Sequence, residues 1–183
     1  MPTPRVFLTG FMGSGKSCIS PRVARLLGWS CMDLDAEIVD AEGMSIPAIF
    51  DILGEHAFRS AEREALVRTG SWDNVVVSLG GGTVMRAGNM AWCLENGLLV
   101  ALETPVDVLC DRLSRREGTR PLLLGPDGRV LKDHALRTRV EHLLAERRPV
   151  YRQAHVIIET GNREPDDVAE EVVRAVGASR QTG

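Results

Sequence analysis

One octapeptide constrains this chain more than any other stretch. Gly10-Phe11-Met12-Gly13-Ser14-Gly15-Lys16-Ser17 fits G-x-x-x-x-G-K-[ST], the phosphate-binding P-loop. A triphosphate presents closely spaced negative charges that must be met without side-chain bulk. Gly10, Gly13 and Gly15 allow positive φ and inward-turned N–H groups. The helix that follows points its positive end at the same place. Lys16 adds a point charge near the β- and γ-phosphates, and the Ser17 hydroxyl is a hard oxygen ligand for Mg²⁺. The flanks agree: Arg5 to Thr9 reads as a short buried strand, and Cys18 to Leu27 as a helix ending near Gly28. The chain has two lysines, Lys16 and Lys132, and one of them fills the motif position.

Composition narrows the setting. At 183 residues, 44% apolar and 26% charged, the chain is expected to form one domain spanning 1–183. A net charge of −3 gives no general reason to expect nucleic acid or membrane as partner. Cys18, Cys31, Cys93 and Cys110 are widely spaced with no C-x-x-C, so they read as reduced and mostly buried thiols. No apolar run is long enough for a membrane span, and no leader pattern precedes Gly10, so the cytoplasm is the expected location. Charge is uneven, however. From Arg112 to Arg152 there are ten arginines and one lysine, half of the chain's 22 basic residues, against five acids. That segment is either a solvated helical face or a wall facing anions.

Five apolar strands alternate with helices: Arg5–Thr9, Trp29–Met32, Val75–Leu79, Leu98–Leu102 and His155–Ile158. The pattern predicts an α/β fold, a three-layer α/β/α sandwich around a five-stranded parallel sheet. Helices are expected over 36–42, from Ser45, over 55–68, 87–96, 105–114, 133–151 and 164–176, with Gly54 separating the second from the third. Residues 115–130, rich in Gly, Pro and Arg, read as a mobile lid loop. Ligands of such sheets bind at the C-terminal strand ends, where all the motifs fall.

The remaining chemistry lies in short clusters. Asp33 and Asp35, two apart at the end of the second strand, can divide metal binding and substrate orientation between them, or simply solvate a loop. The third strand ends in Gly80-Gly81-Gly82 with no acid, and there is no N-K-x-D guanine reader. Asp40-Ala41-Glu42-Gly43 fits D-x-x-G only inside a helical pattern, which reads as coincidence. Arg59 and Glu62 share a helix face. They form either a local ion pair or a carboxylate-gripping fork oriented by Glu62. The three glycines offer bare N–H groups to a ligand, or make a turn.

Taken together, G-F-M-G-S-G-K-S, Asp33-x-Asp35, Phe58-Arg59-x-x-Glu62, Gly80-Gly81-Gly82, Arg120-Pro121-Leu122-Leu123 and Arg147-x-Pro149-x-Tyr151 closely resemble the shikimate kinases, over roughly residues 5–176. The resemblance implies MgATP-dependent phosphorylation of the 3-hydroxyl of shikimate in aromatic amino-acid biosynthesis, by a monomer. It implies that Gly13, Ser14, Gly15, Lys16, Ser17 and Cys18 bind ATP phosphates, with Ser17 and Asp33 serving the Mg²⁺. Asp35 would orient the substrate and act as base. Arg59, Gly81, Gly82 and Arg147 would hold shikimate, and Arg120 would reach the phosphates from the lid. Arg112, Arg163 and Pro165 fall in the regions that flank adenine. Two departures stand out. Cys18 replaces a frequent Thr, and Pro21 in the second turn of the P-loop helix cannot donate to the Ser17 carbonyl, which predicts a local kink or a helix tightened at its start. The runner-up readings are a gluconate or nucleoside monophosphate kinase, and a nucleotide-binding regulator that has lost catalysis.

Overall fold

Three β-branched or aromatic apolar runs with no polar alternation, Val6–Leu8, Val75–Val77 and Leu98–Val100, require strands covered on both faces. The computed structural model describes residues 5–115 and 121–181. In it, β1 (Arg5–Gly10), β2 (Ser30–Asp33), β3 (Val75–Ser78), β4 (Leu98–Glu103) and β5 (Val156–Glu159) form one parallel sheet in the order β2-β3-β1-β4-β5. The central strand β1 is buried at every residue.

Side-chain alternation along β1 assigns the layers. Val6 and Leu8 pack with Ile19, Val23 and Ala24 of α1 (Lys16–Leu27) and with Val168, Val172 and Val176 of α8 (Pro165–Gln181). Phe7 points the other way. It joins residues from α2 (Leu34–Glu42), α4 (Gly54–Arg68), α5 (Ala87–Asn96), α6 (Val106–Ser114) and α7 (Asp133–Tyr151). The helix after β1 therefore lies on one face, and those after its neighbours β3 and β4 lie on the other. Their loops diverge above β1 and leave a crevice at the strand ends.

The sequence reading holds for the sheet and needs two local corrections. The helix after β2 starts at Leu34, so Asp35 sits in its first turn and not at a strand end. The cause is Asp33, whose carboxylate caps the helix by accepting N–H bonds from Asp35 at 3.0 Å and Ala36 at 3.4 Å. The helix begun at Ser45 is a single α turn, α3 (Ile46–Ala48), continued as a π turn over Ile49–Leu53 that runs directly into α4 at Gly54. At Pro21 α1 continues as one element with a tightened start, as one of the two expectations had it: the Cys18 N–H bonds the Gly15 carbonyl three residues back at 2.9 Å, and Ser20 Oγ and Arg22 Nη1 donate to the carbonyls of Lys16 and Cys18.

Of the loop expected over 115–130, residues 116–120 lie outside the described residues. The rest folds back on itself: a 3₁₀ turn at Pro121–Leu123, a bridge between Leu124 and Val130, and Gly125 N–H on the Arg129 carbonyl at 2.8 Å. No described helix is long and apolar enough to cross a membrane.

Candidate active site

The P-loop takes the conformation that its glycines permit. Gly10, Gly13 and Gly15 have φ of 139°, 84° and 104°, and Gly15 caps the N-terminus of α1. At Gly10 space is as restrictive as φ, because a Cβ there would lie 2.6 Å from the Leu102 carbonyl oxygen on β4. Gly10→Ala should therefore lower Tm by roughly 5 °C or more, through backbone strain and a clash with rigid main chain. A thermal melt unchanged from wild type would show that the loop relaxes freely.

Lys16 is buried, and its Nζ donates to the carbonyls of Gly10 at 2.8 Å and Phe11 at 3.1 Å, bracing the loop. Arg112, from α6, ties the loop to the β5–α8 turn by donating to the Gly13 and Gly161 carbonyls, each at 3.2 Å. Arg163 is held by the Glu159 carbonyl at 2.9 Å and by Glu171 at 2.6 Å, so its guanidinium is committed to α8. The cysteines are not mostly buried as expected: Cys93 is buried, Cys31 is exposed, and Cys110 and Cys18 are half-buried, the Cys18 thiol accepting from Arg22 Nη1 at 3.2 Å.

Gly13, Ser14, Gly15, Lys16, Ser17, Cys18, Asp33, Asp35, Gly80, Gly81, Arg112, Arg163 and Pro165 all line one cleft of about 630 Å³ at the strand ends. This brings together most of the residues picked out in the sequence. Arg59, Gly82 and Arg147 are not on its wall but adjoin it through the glycine loop. Arg147 Nη1 donates to the Gly81 carbonyl at 3.3 Å, beside the Tyr151 hydroxyl, which donates to the same oxygen at 2.7 Å. A Cβ on Gly82 would lie 3.5 Å from Arg59 Nη1. Two arginines, from α4 and α7, thus converge on Gly81 and Gly82. Arg120 lies outside the described residues.

Asp35 stands where the two halves meet. A Cβ on Gly80 would lie 2.9 Å from Asp35 Oδ1, so any larger residue would displace this carboxylate or the loop. Burial raises its pKa to about 6, helped by the negative charges of Asp33 and Glu62 and opposed by Lys16 and Arg59. A carboxylate tuned toward neutrality is suited to receive a proton from a hydroxyl.

Among the described residues no group of three or more His, Cys, Asp or Glu is placed to hold a metal. The Ser17 hydroxyl and Asp33 carboxylate are nevertheless both hard oxygen donors on the cleft wall. Mg²⁺ suits such a sparse set, since it keeps several waters and takes phosphate oxygens for the rest.

Two contributors escape a reading of the sequence. Tyr151 enters it only as part of a motif, and its hydroxyl fixes the Gly81 carbonyl. Thr83 carries no motif, yet its Oγ1 donates to Glu62 Oε1 at 2.8 Å across 21 residues of sequence, a contact that no local pattern announces.

Comparison with known proteins agrees with this geometry. A family model described as shikimate kinase matches residues 12–177. Among curated relatives, the shikimate kinase of Salinibacter ruber is 43% identical over 177 residues, covering 97% of this chain and 86% of that protein. A shikimate kinase of Thermus thermophilus is 42% identical, covering 94% of this chain and 91% of that protein. Among solved structures, shikimate kinase from Acinetobacter baumannii in complex with shikimate superimposes with a TM-score of 0.84 at 32% identity, covering 97% of this chain and 94% of that one. With its P-loop, its paired arginines and the acids at the β2–α2 junction in one fold, this chain belongs to the shikimate kinase family.

Proposed function

We propose that this protein transfers the γ-phosphoryl group of ATP to the 3-hydroxyl of shikimate, giving shikimate 3-phosphate and ADP. The observation that carries the reading is the junction at Gly80–Gly82. There a phosphate-binding loop, a carboxylate with raised pKa and two converging arginines meet within one glycine loop. A carboxylated polyol matches that set: a carboxylate for Arg59 and Arg147, and a hydroxyl for Asp35.

In this reading the N–H groups of Gly13 to Cys18 and the Lys16 ammonium hold the phosphates. Arg112 and Pro165 flank the adenine, and Arg163 supports that wall through α8. Arg59, Gly81, Gly82 and Arg147 orient the ring, and Asp35 accepts the hydroxyl proton as the phosphoryl group arrives. Ser17 and Asp33 would hold Mg²⁺, which supplies charge neutralisation on the phosphate oxygens. We place the protein in the cytoplasm as a monomer.

Arg59→Lys and Arg147→Lys should each raise the shikimate KM roughly tenfold or more, because an ammonium cannot form the paired hydrogen bonds of the guanidinium fork. The ATP KM should stay close to wild type. An equal loss for both substrates would assign these arginines to structure instead. The reading as a whole is tested by ADP release with ATP and Mg²⁺ against shikimate, gluconate, AMP and CMP. Turnover should require shikimate, and preferential turnover of any other acceptor would overturn it.

A further inference from the structure

Arg59 poses a problem that the proposed function leaves open. A guanidinium that must grip a substrate carboxylate sits beside two carboxylates of its own helix. Glu55 Oε1 accepts from its Nε at 3.3 Å, and Glu62 Oε2 from its Nη1 at 3.0 Å. Glu62 is 1% exposed, so a buried acid that took both terminal nitrogens would satisfy Arg59 and close it to substrate. Glu62 is held out of that arrangement because the orientation of its carboxylate is fixed through the other oxygen. Oε1 accepts the Thr83 hydroxyl at 2.8 Å.

Thr83 is itself rigidly placed. It is fully buried, at 0% exposure, in the 3₁₀ turn directly after the glycine loop. Its carbonyl accepts from Asn89 Nδ2 at 3.0 Å, and Asn89 Oδ1 accepts from Arg63 Nη1 at 3.4 Å. The chain Arg63–Asn89–Thr83–Glu62–Arg59 leaves α4, crosses to α5 and returns to α4. A satisfied buried network of this kind fixes side-chain orientation more strongly than any one bond in it.

We infer that Thr83 is a positioning residue for carboxylate recognition. By fixing the orientation of the Glu62 carboxylate it keeps the Glu62–Arg59 pair single-bonded and leaves a guanidinium edge for the substrate. The inference rests on the reading that Arg59 holds the shikimate carboxylate. Without the hydroxyl, Glu62 is free to turn and saturate Arg59, and the substrate must break that pair to bind.

The test is shikimate titration at saturating MgATP for Thr83→Val, Thr83→Ala and Thr83→Ser, with Arg59→Lys alongside. Thr83→Val and Thr83→Ala should raise the shikimate KM roughly tenfold, the size expected for a lost bond to a charged group, with kcat and the ATP KM near wild type. Thr83→Ser keeps the hydroxyl and should restore the wild-type KM. In a Glu62→Gln background, Thr83→Val should add little, since it acts through that carboxylate. If Thr83→Val fails to fold, the Ala and Ser pair makes the same comparison. An unchanged KM in the hydroxyl-free variants, an impaired Ser variant, or full additivity with Glu62→Gln would overturn the inference. An unchanged shikimate KM in Arg59→Lys would instead overturn the reading beneath it.

Discussion

Asp35→Asn is expected to abolish most turnover while making the protein more stable. As the proposed proton acceptor, Asp35 should account for roughly 10²–10⁴ in rate, and an amide cannot take its place. Stability moves the opposite way. The folded pKa of about 6 lies above the ordinary carboxylate value, so folding favours the protonated form. That stabilisation is complete below about pH 4 and is lost as pH rises through 6. At pH 7 to 8 the ionised carboxylate costs the fold on the order of 2 kcal/mol, which neutral Asn does not. Melting at pH 7.5 should therefore show a Tm several degrees above wild type in a variant that has lost kcat. For the wild-type enzyme, kcat/KM for shikimate should fall as pH drops through about 6, where Asp35 takes up its proton. A variant that is both inactive and less stable would assign Asp35 a structural role.

Lys16→Met should lower turnover by roughly 10³-fold or more, the scale seen when a phosphate-stabilising cation is removed. Methionine approximates the stem but carries no charge and no donor. Two things are lost together: the cation proposed for the β/γ-phosphates, and the brace from Nζ to the Gly10 and Phe11 carbonyls. The sheet does not depend on either, because β1 is held by backbone pairing with β3 and β4. Circular dichroism should therefore match wild type, and ATP binding by calorimetry should weaken. Near-normal turnover in a folded variant would contradict the P-loop assignment.

The sheet is legible in the sequence because its signal is strong and local. Val75-Val76-Val77 and Leu98 to Leu102 have no competing helical period, and both form strands flanked on either side in the sheet. The P-loop is legible because its chemistry is contained in eight consecutive residues. Sequence and structure part where a side chain decides a boundary. Asp33 reads as a metal-side acid, yet it also caps α2, which moves Asp35 from the strand into the helix. The cue is present, since Asp is a preferred N-cap and Asp35 and Glu37 lie in the following turn. Gly54 reads as a separator, and its φ of 82° does break the geometry, but between a π turn and α4 with no residue left over. The least legible part of the site is its polar wiring. Thr83 to Glu62, Tyr151 to Gly81 and Arg163 to Glu171 are contacts that no motif spacing announces. The first two exist only because the turn after β3, α4 and α7 converge around one end of the sheet, and the third because the turn before α8 folds back along that helix.

The central claim is transfer to one hydroxyl of one substrate, and the product tests it most directly. Phosphorus–proton correlation NMR on a reaction of the purified protein with ATP, Mg²⁺ and shikimate should show a single phosphomonoester coupled to the proton on carbon 3, with ADP formed in equal amount. ADP without phosphorylated shikimate, or phosphate on a different hydroxyl, would contradict the account.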